Sequence, residues 1–515
     1  MSIDKTIWNN PPKKYRVNPI VHNWPENGRT ELMDAINDFG FGGVVTNPPQ
    51  KNWYEGYLDN VREFKDIIKE LEERDLSFWI YDENGYPSGY AGGETLKGHP
   101  ELEAKGFYMR RTVAYEPRHV KFQLDFESDK IVWAAKYPMD CPGMHESYVQ
   151  FDQMIPVPFT DTFCETDLGE KEAFFVFCVK SAYEGSHCTH NVCSYSRYVN
   201  IMEPKAIRRF LDLVFEPIAK EIPDAFRKAT AVFTDEPSLQ VGYARGYEAW
   251  PYALAPWVEG LFEAYEEEYG ESMLPYLPLL FEGFQEAYPI RVKFYSLVGK
   301  LIARAYSGQL SDWCREHGGV FSGHYLGEES IVGHVKDYGS YTEVLSRAGY
   351  PGIDVLCCYP EIYSYNTAKY PQMAARKMGS NGLMVELCPF FDKETFEKDP
   401  IENMTGVVGT MYMSGVRTSN SYFSSNFEEY NPELLAGRTG YMHKEDALAF
   451  NNYVGRLGYM LDGITNDCNT FVYYGIEDVQ ANMVPQTSAF SGPETVADAS
   501  TTAFTKKLFE AGHDF

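Results

Sequence analysis

Eight short apolar runs, each ending in polar or aromatic residues and most followed by helix-period sequence, succeed one another along the chain. No other feature restricts its fold so strongly. The runs are RVNPIVHNW (16–24), GGVVTNPP (42–49), SFWIYDENG (77–85), ATAVFTDEPS (229–238), GGVFSGHYLGEES (318–330), GIDVLCCYP (352–360), NGLMVELCPFFD (381–392) and VRTSNSYFSS (416–425). Eight strands with helices between them are what a closed (β/α)8, TIM-like barrel requires. An open doubly wound sheet is the competitor, but it needs a glycine-rich phosphate turn after an early strand, and neither GxGxxG nor GxxxxGK[ST] occurs. The helix expected from Tyr57 to Arg74 shows the pattern well. Val61, Phe64, Ile67, Ile68 and Leu71 recur at spacings of three and four, which gathers them on one face.

Two stretches break the rhythm. From 106 to 200 the sequence alternates as in HVKFQLDF, KIVWAAKY and AFFVFCVK, which reads as a β-rich insertion after strand three. Barrel sequence resumes at 201, with a helix over 203–222 and, after strand four, a helical region of about 80 residues broken by prolines. Beyond a closing helix (434–465), NTFVYYGIEDV resembles another buried strand, TTAFTKKLFEAG a helix and HDF the start of a further strand. The expected division is therefore 1–105 and 201–467 for the barrel, 106–200 for the insertion, and 468–515 for the start of a C-terminal α/β domain. A βα unit cut at its second strand leaves an uncovered edge, so the sequence reads as part of a longer protein.

Composition narrows the function. The chain has 515 residues with 46 Lys plus Arg against 74 Asp plus Glu, and its net charge of −28 would repel a nucleic-acid backbone or an anionic bilayer. The N-terminus has no apolar leader and nowhere do 18 uncharged apolar residues run together, so the chain as given is expected to be soluble and cytoplasmic. Ten scattered cysteines fit reduced thiols. SHCTHNVC brings His187, Cys188, His190 and Cys193 together, but its spacing matches no zinc-finger pattern and its alternation reads as a strand. Aromatic residues make up 15%, enough to supply working surfaces as well as packing.

In barrels of this kind the reacting groups sit at the C-terminal ends of the strands. Strand four ends in Asp235-Glu236-Pro237, where the proline is expected to hold Glu236 extended at the rim. Strand seven carries Glu386 as a lone acid in MVELCPFF, and an acid there must line the barrel mouth or be buried at a cost of several kcal/mol unless paired. Two facing carboxylates are the minimum equipment for cleaving a glycosidic bond, one protonating the leaving oxygen and the other activating water or attacking carbon. Glu236 and Glu386 are the expected catalytic pair, and a carbohydrate the expected partner. The bland alternative is that Glu236 caps a helix and Glu386 pairs with an arginine. WIYDENGYPSGYAGG (79–93) sets Asp82 and Glu83 among aromatics and five glycines and prolines, which suits a polar molecule with flat apolar faces. Asp82, Glu83 and Tyr86 or Tyr90 are therefore expected as sugar contacts. His22, Asn23 and Trp24 (strand one), Asn47 (two), His324 (five), Tyr359 (six), and Asn420 and Tyr422 (eight) join them by position.

FGFGGVVT, WIYDENGYPSGYAGG, the pairing of YVNIMEPKAIRRFL with VFTDEPSL, and VYYGIEDV together resemble glycoside hydrolase family 106, the α-L-rhamnosidases. The likeness runs in islands over most of residues 15–515, and DENGYPSG and TDEP are its most specific parts. It implies an inverting hydrolase with a glutamate acid after strand four and a glutamate base after strand seven, matching Glu236 and Glu386. It also implies bound Ca2+, with no ligands that can be matched residue by residue. A retaining, β-galactosidase-like barrel and a non-catalytic sugar-binding relative are the other readings.

Overall fold

The computed structural model describes residues 4–49, 53–83, 86–124, 129–143, 146–182, 197–239, 252–283, 285–356, 363–380, 382–388, 400–422, 438–439, 442–464, 468–485 and 495–515. Eight parallel strands close into a barrel: β1 (Asn18–Val21), β2 (Gly43–Thr46), β3 (Ser77–Tyr81), β4 (Val232–Asp235), β5 (Phe321–His324), β6 (Tyr350–Leu356), β7 (Leu383–Cys388) and β8 (Val416–Ser421). Each pairs with its neighbours in sequence, and β8 returns to β1. Seven lie within runs expected from the sequence and β6 overlaps its run but starts two residues earlier, at Tyr350, and helices follow the strands as a TIM-like barrel demands.

The period of two along a strand sorts the side chains. Ile20, Val45, Trp79, Tyr81, Ala231, Phe233 and Met384 form a compact cluster inside the barrel. Val21, Val44, Phe78, Ile80, Val232, Phe321, Val385 and Val416 point the other way, into the larger core beneath the helices. The amphipathic helix is Trp53–Glu73, and Val61, Phe64, Ile67, Ile68 and Leu71 are each 3% exposed or less. Burying such side chains contributes roughly 1.5–3 kcal/mol apiece, offset in part by ordering the chain.

Between β3 and β4 the chain forms an antiparallel sheet whose central strands are Lys105–Ala114, Glu172–Ser181 and Lys130–Gly143, with Arg118–Gln123 and Phe163–Leu168 as a separate ribbon. Ala255–Trp257, in a region expected to be helical, adds an edge strand to this sheet. Pro256 is tolerated there because an edge position needs no donor on its open side. SHCTHNVC and the Cys357-Cys358 pair lie outside the described residues.

The strand expected at TFVYYG does not form. Residues 468–475 carry no ladder, Phe471 and Tyr473 are 91% and 76% exposed, and helices Ile476–Asn482 and Val496–Glu510 follow. HDF is not a strand either. The segment packs outside the barrel through helices and single hydrogen bonds. Val479 is fully buried, and Arg291 Nη1 donates to the Ala481 carbonyl at 3.2 Å. Among the described residues its apolar run has no neighbouring strand, and β-propensity alone does not make a sheet there. No helix among the described residues is long and apolar enough to cross a membrane.

Candidate functional site

Above the inner apolar cluster, the next inward-facing positions are polar on nearly every strand: His22, Asn47, Asp235, His324, Asp354, Glu386 and Asn420. Register places them at one level, with Asp235 opposite His324, Asp354 opposite Glu386 and Glu386 opposite Asn420. His324 ties the acids together. Its Nε2 lies 3.0 Å from Glu386 Oε2 and 3.4 Å from Asp235 Oδ1, with all three side chains almost wholly buried. An Nε2 proton donated to Glu386 would fix that carboxylate in orientation.

Asp235 also accepts a 2.5 Å hydrogen bond from the Tyr81 hydroxyl. Tyr81 stacks edge-on against His22, with ring centroids 4.5 Å apart, and leans on Phe233. Burial pushes the Asp235 carboxyl up to about 6 against the lowering pull of His324 and Tyr81. His22 shares Nδ1 with Asn47 Oδ1 at 3.1 Å, and burial lowers its pKa to about 4, so it is neutral near pH 7.

Glu236 escapes the strand alternation. Instead of the extended backbone expected before Pro237, it has φ of 47°, a left-handed conformation that a non-glycine residue adopts at a cost of order 1–3 kcal/mol. Its flanks are pinned: Asp235 N donates to Ser88 Oγ, and Glu236 N donates to the His324 carbonyl. A simple continuation of β4 would have turned Glu236 outward, opposite to Asp235. The turn brings its carboxylate, an Asp235 oxygen and a His324 nitrogen within 4.8 Å of one another. Burial raises the Glu236 pKa well above the usual carboxylate range, reinforced by the charges of Asp235, Asp354, Glu386 and Glu329. The mouth thus holds a carboxyl whose pKa burial raises beside one that a histidine keeps in place.

The DENGYPSG loop behaves differently from its expected role. Asp82 follows Tyr81 and so faces outward, where its Oδ1 accepts from Ser88 Oγ at 2.6 Å. Glu83 accepts the backbone N–H groups of Tyr90 (2.7 Å) and Gly92 (3.3 Å), folding the loop around its own carboxylate. Both acids are no more than 1% exposed, and Tyr90 is 4% exposed. These three were expected to touch sugar and instead hold the loop. Ala91, Gly89, Gly92 and Gly93 all have positive φ there, which explains the glycines. Tyr86 keeps 37% exposure and is the loop's presented ring. Trp24 was also expected at the site, yet it packs in the outer core with Nε1 on Thr46 Oγ1 at 2.9 Å. Tyr422 packs on the inner cluster. Asn23 is half-buried at the end of β1, and Tyr359 lies outside the described residues.

Tyr81, Asp235 and Asp354 were not singled out from the sequence, although two signals pointed to them. Asp354 is a lone acid in the apolar run GIDVL, the same signal that identified Glu386. Tyr81 and Asp235 share inward parity with Trp79 and Phe233.

Asp235, Glu236 and His324 could together hold a metal ion. A ring nitrogen with two carboxylates suits a transition metal, whereas calcium takes six to eight oxygens. The trio does not fit the calcium that the family resemblance implies. Elsewhere, a cleft of about 140 Å³ lined by Tyr370, Arg376, Phe471 and Tyr473 has no Asp or Glu side chain in its lining.

No protein-family model and no curated protein sequence matches this chain. Among solved structures, a rhamnosidase from Novosphingobium sp. PP1Y is similar with a TM-score of 0.57 and 11% identity, over 90% of this chain and 61% of that one. This chain therefore spans less than two thirds of the rhamnosidase's length. Pyruvate kinases from Cryptosporidium parvum (TM-score 0.31, 9% identity, 88% of this chain and 72% of that one) and Pyrobaculum aerophilum (0.29, 9%, 86% and 73%) are too distant to support an argument. At 11% identity, what is shared with the rhamnosidase is the fold.

Proposed function

We propose that this chain is the catalytic barrel of a glycoside hydrolase, α-L-rhamnosidase-like and inverting, with Glu236 as general acid and Glu386 as general base. The observation that carries the reading is the pairing of unlike carboxyls at one mouth. Burial and surrounding charge raise the pKa of Glu236, while Glu386 lies 3.0 Å from the His324 ring nitrogen. Unlike surroundings for two facing carboxyls, one with a raised pKa and one tethered to a histidine, suit acid and base roles. Glu236 would give its proton to the glycosidic oxygen as the bond breaks. Glu386 would take a proton from water attacking the opposite face of the anomeric carbon, leaving a product of inverted configuration. Asp235 and Asp354 would add negative charge near the developing oxocarbenium ion. The fold shared with a rhamnosidase and the family 106 resemblance support the sugar class, and a carbohydrate is the proposed partner.

The test is a screen of the protein against nitrophenyl glycosides, α-L-rhamnoside and β-D-galactoside included, with the product anomer followed by proton NMR. Release of β-L-rhamnose first from the α-L-rhamnoside supports the reading. First release of the retained anomer would overturn the inverting assignment, and turnover of the galactoside alone would overturn the sugar class.

A further inference from the structure

The loop after β5 carries Glu328 behind His324, and it is fixed both by the neighbouring strand and by a distant part of the chain. Glu328 Oε1 accepts the Asp354 backbone N–H at 2.6 Å and lies 3.8 Å from His324 Nδ1, the ring nitrogen that faces away from Glu386. The loop presses on the helix that follows, Ile331–Tyr338. A Cβ added to Gly333 would stand 2.4 Å from the Gly327 carbonyl oxygen. Any shift of this loop therefore moves the carboxylate that backs His324.

Two side chains from beyond the closing helix hold the loop. His334 lies 3.2 Å through Nε2 from the Glu328 carbonyl and 2.6 Å through Nδ1 from the Tyr474 hydroxyl. A carbonyl can only accept, so Nε2 carries the ring proton and Nδ1 accepts from the tyrosine. That assigns one neutral tautomer to a fully buried ring, which stacks on Tyr341 at 4.2 Å and meets Tyr370 edge-on. At the start of the same helix, Asp498 Oδ1 accepts the Ile331 N–H at 2.9 Å. At its far end Gln480 Nε2 donates to the Gly339 carbonyl at 2.9 Å. The segment straps this helix at both ends.

We infer that Tyr474 and Asp498 are positioning residues of the barrel mouth, fixing the loop that sets Glu328 behind His324 and, through His324, the orientation of Glu386. The kinetic consequence rests on the hydrolase reading above, whereas the loop's fixation does not. Tyr474→Phe keeps the ring and removes only the hydroxyl. It is expected to lower kcat roughly tenfold on the best glycoside, with KM within about twofold, because substrate contacts are untouched. Asp498→Ala should act in the same direction and Asp498→Asn should restore activity, since the amide oxygen still accepts from Ile331. Unchanged kcat in both Tyr474→Phe and Asp498→Ala, or equal losses in the Ala and Asn variants, would overturn the inference.

An activity-independent readout separates it from the hydrolase proposal. Nitrogen NMR of labelled His334 should report the Nε2-protonated neutral ring in the wild type and a mixture in Tyr474→Phe, with faster amide exchange over residues 326–333. If the wild type cleaves no glycoside, the hydrolase reading falls while these signals still decide the inference. Identical ring and exchange signals in wild type and Tyr474→Phe would refute it.

Discussion

Replacing Asp82 by Asn removes an ionisable group from the outer side of β3 while keeping its hydrogen-bonding shape. Asp82 is fully buried, and burial raises its carboxyl to about 7 despite the lowering hydrogen bonds from Ser88 and Thr234. In the unfolded chain an aspartate titrates near about 3.9. Between about pH 4 and 7, therefore, the folded protein retains a proton that the unfolded chain releases, and stability falls as pH rises through this window. A shift of roughly three units corresponds to about 4 kcal/mol. Urea denaturation of wild type and Asp82→Asn at unit steps from pH 4 to 8 measures it. The variant should gain on the wild type as pH rises, by up to about 4 kcal/mol at pH 8, with no such gain near pH 4. A stability difference independent of pH would refute the buried, proton-holding Asp82. The same variant should leave KM unchanged, because Asp82 faces away from the mouth.

Tyr81→Phe removes the hydroxyl that bonds Asp235 and should cost about 1–3 kcal/mol of stability. It should also move the Asp235 titration upward, since that bond lowers its pKa, and the shift can be read by carboxyl-carbon NMR. Gly333→Ala sets a methyl against the Gly327 carbonyl and should lower both melting temperature and kcat, the stability loss being roughly 1–3 kcal/mol. Phe233→Ala empties the inner cluster beneath Asp235 and His324 and should cost about 3–5 kcal/mol in denaturant titration.

The barrel was legible because its signal is repeated: eight apolar runs have one closed solution. The same rule, that strand ends carry chemistry, led to Glu236, Glu386 and His324, which the fold brings to one mouth. Parity was the missing step. Tyr81 and Asp82 are neighbours in sequence, yet a period of two sends the tyrosine inward and the acid outward. Glu236 went the other way, since its left-handed turn depends on Ser88 and His324, neighbours only in space. Trp24 reads as a strand-end aromatic, but its indole N–H finds Thr46 in the outer layer. The missing strand at TFVYYG has a similar cause, because its local sequence favours extension while none of the described residues offers it a ladder.

The assignment of Glu236 as acid and Glu386 as base is tested most directly by leaving-group dependence. Glu236→Gln and Glu386→Gln would each be assayed on aryl α-L-rhamnosides whose phenols span a wide pKa range. A good leaving group needs no proton, so Glu236→Gln should approach wild-type turnover on the most acidic phenol and fall by a factor of order 100 or more on the least acidic. Glu386→Gln should be slow on all of them, because water activation is lost whatever departs. Flat dependence for Glu236→Gln, or a steep one for Glu386→Gln, would contradict the roles assigned to the two glutamates.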